Sequence, residues 1–348
     1  MGILKTITDE YFGETIRKED EIDIDDLDVE IVSFTDNNKK YHGRGYKPKN
    51  IYNLKELLER MIEVRGDEGD FNDIDTSDIE NMSLLFNGKE RFNGDITGWD
   101  VSNVTNMNNM FCGAKSFNQP IEKWDVSKVT NMSSVFYDAE LFNQPIEKWD
   151  VSSVENMSRM FYYAKSFNQP IGNWDVSSVR TMQNMFSGAT SFNQDIGNWD
   201  VSSVIDMMSM FYATSFNQPI GNWDVSNVND MDCMFYGAES FNQPIGDWNV
   251  SNVKYMCRMF YDATSFNQPI GNWDVSKVQS MGYMFEGATS FNQPIGDWDV
   301  SSVEDMSGMF HNATSFNQDL SKWDLTKKYT NDMFYDCPIK DEYKPKMK

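Results

Sequence analysis

All ten tryptophans of this chain stand on one lattice: Trp99, Trp124, Trp149, Trp174, Trp199, Trp223, Trp248, Trp273, Trp298 and Trp323. Neighbours are 25 residues apart, except for a single step of 24 between Trp199 and Trp223. A unit this short cannot bury its apolar face alone, so copies must stack into a repeat solenoid. The consensus reads F-N-Q-P-I-x-x-W-D-V-S-x-V-x-x-M-x-x-M-F-x-x-A-x-x. The sequence places the missing residue just after Phe211, where Tyr212-Ala213 stands for the usual pair before alanine.

Two local structures are expected in each rung. I-x-x-W-D-V is short, β-branched and aromatic, and reads as a strand adding to a parallel sheet. In S-x-V-x-x-M-x-x-M-F-x-x-A, residues such as Val129, Met132, Phe136 and Ala139 share the spacing of one helical face. The preceding serine would cap that helix, and Gly113, Gly188, Gly237 and Gly287 would end it. The recurring Phe-Asn pair, from Phe92-Asn93 to Phe316-Asn317, suits an asparagine ladder that satisfies turn amides. The expected fold is thus a repeat solenoid with a short parallel strand and a short helix per rung, about 50 Å long for rungs at the sheet spacing of about 4.8 Å.

Four regions follow. Residues 1–50 form an acidic module without repeats, in which Glu21 to Val32 alternates like a strand. Residues 51–70 carry a capping helix, with Leu54, Leu57, Leu58, Met61 and Ile62 on one face. Residues 71–335 hold about ten 25-residue repeats and a degenerate first rung in which Ile74 takes the tryptophan position. Residues 336–348 form a basic tail.

The W-D-V-S-x-V, M-x-x-M-F and F-N-Q motifs resemble the BspA-like leucine-rich-repeat family, in its tryptophan and Phe-Asn variant. The resemblance covers roughly residues 71–335. It implies a leucine-rich-repeat-like solenoid, a non-catalytic scaffold for protein interaction or adhesion, at a cell surface or secreted. It implies no catalytic residue. The chain departs from the surface-protein pattern in lacking a signal peptide at Met1 to Glu10, so cytoplasmic placement or non-classical export is the alternative. Met1 to Thr6 fits a myristoylation pattern, a weak signal.

The formal net charge of -24 argues against nucleic acid and anionic membranes as partners. No stretch approaches a membrane span. A protein partner is expected first and a glycan second, with the chain a monomer and no cofactor. A purely structural or decoy role ranks next and an enzyme last, since His42 and His311 stand in no catalytic motif. The four cysteines make no C-x-x-C pair, and a bridge between Cys233 and Cys257 is left open.

Three columns invite chemistry. Aspartate follows tryptophan in every repeat but one, where Asn249 stands. A calcium ladder is one reading, but asparagine is a poor calcium ligand and a good turn acceptor, so turn geometry is expected. The methionines, Met107 to Met309, read as core beside phenylalanine. The residue after M-F varies, yet is often tyrosine. Tyr137, Tyr162, Tyr212, Tyr236 and Tyr261, with Tyr163 beside them and Arg159 and Arg258 one helical turn before, are the expected binding residues. The competing reading is that these rings only cover the flank.

Overall fold

The structure is a computed structural model describing residues 22–36 and 41–347. The myristoylation pattern and residues 1–21 and 37–40 of the expected module at 1–50 lie outside the described residues.

Each 25-residue unit forms one rung, hydrogen-bonded to the rungs before and after it, so the chain is a repeat protein. The expected strand and helix within each rung are both absent. The rung from Phe142 to Ser166 shows what replaces them. Ile146 to Trp149 is a turn closed by the Trp149 N–H on the Ile146 carbonyl at 3.1 Å. Val151 to Val154 closes another at 2.9 Å. The M-x-x-M-F-x-x-A segment is three linked turns: Met160 N–H donates to Met157, Tyr162 to Arg159, and Ala164 to Phe161. Arg159 and Tyr163 sit at φ 56° and 53°, at the third position of the outer two turns, the type II signature. Linked three-residue turns repeat the apolar spacing of a helix, which is why the pattern read as one. Two left-handed residues per rung break the helix. Gly188, at φ 70°, is one of them, so it serves a turn inside the segment rather than ending a helix.

The same segment ties the rungs together. Met157, Arg159, Phe161 and Tyr163 donate their N–H groups to Thr181, Gln183, Met185 and Ser187 of the following rung, at 2.8–3.2 Å. All four donors point one way along the stack. One parallel bridge per rung, from Asn81↔Asn106 to Asp305↔Tyr329, begins this run. We call this side the ladder edge.

On the opposite side, the tryptophan edge, side chains make the connections. The Trp149 indole Nε1–H donates to the Ile121 carbonyl of the preceding rung at 3.1 Å. Asn143 Oδ1 accepts the Asn168 N–H at 2.9 Å, and the Gln169 amide donates to the Asn143 carbonyl at 2.8 Å. The asparagine chain runs from Asn93 and ends where Asn317 Oδ1 accepts the Lys340 N–H at 3.1 Å. Tryptophan, methionine and both phenylalanines of each rung are buried between the edges. Glycine precedes tryptophan by two positions in most rungs because the next rung presses close. A Cβ at Gly246 would strike the Pro269 carbonyl oxygen.

The rungs are not evenly spaced. Equivalent rings lie 4.3–4.6 Å apart for stacked tyrosines on the ladder edge and 5.6–5.9 Å for the inner phenylalanines Phe136 to Phe235. The Phe-Asn phenylalanines Phe142 to Phe216 are 6.0–6.1 Å apart, and Trp199, Trp223 and Trp248 are 6.4–6.5 Å apart. Pure translation would give one distance everywhere. Each rung is therefore also rotated, about an axis nearer the ladder edge. The sheet spacing expected for the whole rung holds on that edge only.

The 24-residue rung keeps this scheme by a substitution. Tyr212 and Ala213 fill the two slots after Phe211, Ala213 at φ 50°, and Thr214 takes the buried alanine's place. The missing residue thus falls after Thr214, not directly after Phe211. The Thr214 hydroxyl donates to the Phe211 carbonyl at 3.0 Å and stands 3.4 Å from the Phe216 N–H.

Different structures cover the two ends. Strands β1 (Val29–Asp36) and β2 (Tyr41–Pro48) pair antiparallel, from Val29↔Pro48 to Asp36↔Tyr41. Tyr46 of β2 bridges Ile74 of the first rung. Helix α1 (Ile51–Arg65) starts at Asn50, whose Oδ1 accepts the N–H groups of Tyr52 and Asn53. It buries Leu54, Leu57, Leu58 and Met61, and Arg65 at its end pairs with Asp73 at 2.7 Å. At the other end, the segment read as a basic tail folds across the last rung. Leu320 N–H donates to the Tyr343 carbonyl at 2.9 Å, Asp324 bridges Lys346, and Ile339 is buried.

Candidate binding face

The repeats differ from one another mainly on the ladder edge. The tryptophan edge repeats F-N-Q-P-I, W-D-V-S and the following valine almost unchanged. The positions flanking and between the methionines, and the two after M-F, vary in charge, size and polarity. Methionine, phenylalanine and alanine point in, while the larger variable side chains reach the surface and the serines Ser133, Ser134, Ser187, Ser209 and Ser307 are buried among them.

The tyrosine column lies here. Tyr137 and Tyr162 stack at 4.6 Å, Tyr212 and Tyr236 at 4.5 Å, and Tyr236 and Tyr261 at 4.3 Å. Ser187 interrupts the column and is buried. Tyr163 fills the gap: its ring stands edge-on to Tyr162 at 4.7 Å and lies over Gly188. Partial burial pushes the hydroxyls of Tyr137, Tyr162, Tyr212, Tyr236 and Tyr261 above their ordinary range. Because the rings stack on one another, they offer edges and hydroxyls rather than open faces.

The structure corrects the setting of the two arginines. Arg159 and Arg258 precede Tyr162 and Tyr261 by one β-turn, not one helical turn, and both occupy left-handed positions. Arg258 holds its guanidinium 5.0 Å from the Tyr283 ring centre. Sequence reasoning did not single out Tyr283, nor Ile205, Met208 and Tyr255 on the same edge. Their signal was available: each stands in a column that varies from rung to rung. Beyond Tyr261 the column continues as Glu286 and His311, 3.2 Å apart, and then Tyr335 against His311.

The aspartate column serves the turns. Asp150 Oδ1 accepts the Ser152 N–H at 3.1 Å and its hydroxyl at 2.6 Å. Asn249 Oδ1 accepts the Ser251 N–H at 3.2 Å in the same way. Serine hydrogen bonds hold Asp125, Asp175, Asp224 and Asp274 below the usual carboxylate range. Among the described residues no three His, Cys, Asp or Glu side chains group as metal ligands, and no helix is long and apolar enough to cross a membrane. Cys233 and Cys257 are free thiols whose backbones meet through the Cys233 N–H and the Cys257 carbonyl at 2.8 Å.

A family model described as "Mycoplasma protein of unknown function, DUF285" matches residues 52–171, 142–246, 212–282 and 240–344. No curated protein and no solved structure matches the chain.

Proposed function

We propose that this chain, which belongs to the DUF285 family, is a non-catalytic solenoid scaffold that binds a protein partner on its ladder edge. The observation that carries this reading is internal. Ten copies of one unit agree where they build the core and the tryptophan edge, and differ where they face out from the ladder. The fold does not dictate those positions, so they are free to serve recognition. Tyrosine and arginine among them are the usual anchors of protein interfaces. A protein is favoured over a glycan because the tyrosine faces are already taken up by one another. Adhesion at a surface, as the BspA-like resemblance implies, is one form of this role.

Photo-crosslinking groups placed at Tyr236 on the ladder edge and Asn222 on the tryptophan edge test it. Adducts with a macromolecule should form from Tyr236 alone. Equal adducts from both positions would sink the reading. In parallel, changing Tyr212, Tyr236 and Tyr261 to serine should abolish capture with the fold intact. Loss of folding would return these rings to a structural role.

A further inference from the structure

The ladder face changes character along its length. Up to Arg180 its bases are Lys115, Arg159, Lys165 and Arg180, of which Lys115 pairs with Glu90 at 3.2 Å and Lys165 with Glu140 at 3.1 Å, each in the preceding rung. From Ile205 to Tyr261 the acids Asp206, Asp230, Asp232 and Glu239 outnumber the bases Lys254 and Arg258, with apolar groups set among them. Ile205 and Tyr255 are 46% and 39% exposed, and Met208 is half-buried. Asp206, Asp230 and Tyr255 follow one another in the bridged column, and Asp232 stands two residues from Asp230. One oxygen of each acid closes the backbone: Asp206 accepts from Met208, Asp230 from Asp232, and Asp232 from Cys257, at 2.6–2.9 Å. Burial and the Asp230 charge push Asp232 up to about 6, with the Cys257 N–H and then Arg258 only partly offsetting them. The chain's own Arg258, seated on Tyr283, shows how a cation rests on this face.

We propose that the ladder face from Ile205 to Tyr261 docks an extended cationic segment of a protein partner. Its arginine or lysine heads meet Asp206, Asp230 and Asp232, and its apolar groups meet Ile205, Met208 and Tyr255. Charge complementarity selects this occupant, because the face alternates acids with apolar side chains and a cation there replaces lost hydration with an opposite charge. The proposal rests on the binding-face reading above and specifies the partner for it.

The variants that test it are supplied by the repeat itself. Asparagine already occupies the Asp206 and Asp230 column at Asn106, Asn131 and Asn156, and the Asp232 column at Asn108. The triple variant Asp206→Asn, Asp230→Asn, Asp232→Asn therefore keeps an amide oxygen at each acceptor position and removes the charge. A second triple, Glu63→Gln, Asp247→Asn, Asp297→Asn, removes the same charge elsewhere. The probe is a fluorescent ten-residue peptide alternating arginine and leucine, read by anisotropy, against its glutamate-leucine counterpart. The ladder-face triple should weaken arginine-leucine binding about tenfold, and the control triple by less than about twofold. Equal weakening by both triples overturns the docking, since net charge alone then explains it. Tighter binding of the glutamate peptide, lost on changing Tyr212, Tyr236 and Tyr261, overturns the cationic partner but leaves the binding face standing. If no ladder-face substitution alters binding of either peptide, the binding-face reading fails with it.

Discussion

The two edges of the stack solve one problem by different means. On the ladder edge, backbone meets backbone, and side chains are released to vary. On the tryptophan edge the rungs stand farther apart, and asparagine, glutamine and indole groups span the gap. Those side chains cannot vary without depriving a backbone group of the neighbouring rung of its protein partner. Near-invariance on one edge and freedom on the other are consequences of that single division. The acids divide in the same way. Serine hydrogen bonds lower the carboxylates beside tryptophan, whereas burial raises Asp230 and Asp232 on the ladder edge.

The largest effect should come from the core beside the tryptophan edge. Trp199→Ala removes a buried ring and the indole donor to the Ile171 carbonyl, and should cost about 3–5 kcal/mol in denaturant titration. A loss below that of a surface variant would break the assignment of this edge as structural. Next is the asparagine chain. Asn242→Ala takes the side-chain acceptor from the exposed Asn267 N–H and one of the two acceptors of the Gln268 amide, and should cost about 0.5–1.5 kcal/mol.

Substitution on the ladder edge should act through the backbone. From sequence, Asn184→Ala is a neutral surface change of under about 0.5 kcal/mol. The structure places Asn184 at φ 57°, so alanine should cost about 1 kcal/mol and glycine should be tolerated. Identical stabilities for both variants would show that the left-handed column carries no strain.

The last effect is a pH dependence. The Asp232 carboxyl titrates at about 6 when folded and near 3.8 otherwise, so its ionisation opposes folding. The penalty is absent below both values, grows as pH rises between them, and is complete above about 6. Asp232→Asn should therefore melt higher than the parent at pH 7, with the gap closing towards pH 4. The aspartates beside tryptophan have the opposite sign, and their contribution fades as pH falls below 3.8. A gap that persists unchanged to pH 4 would dismiss Asp232 as its source.

Much of this architecture was legible in the sequence. The tryptophan lattice gave the repeat and its single short unit, and the fixed asparagine pointed to the chain of amides that links the turns. The serine-bound aspartates follow from the tolerance of Asn249. The local conformation was not legible. Val-x-x-Met-x-x-Met-Phe-x-x-Ala has the spacing of a helix and of linked three-residue turns alike, because both return the chain after about three residues. Only glycine, asparagine and aspartate hint at a left-handed residue, and Ser134, Arg159 and Tyr163 occupy such positions without them.

The amino-acid sequence by itself determined which side chains enter the core, since apolar periodicity and repetition leave no other way to bury them. Tertiary structure decided how the rungs meet. Left-handed residues at two places per rung turn four N–H groups towards the next copy, and the bonds they form outweigh the local strain. That choice is made between rungs, where a donor in one copy finds a carbonyl in the next. No pattern within a single copy records it.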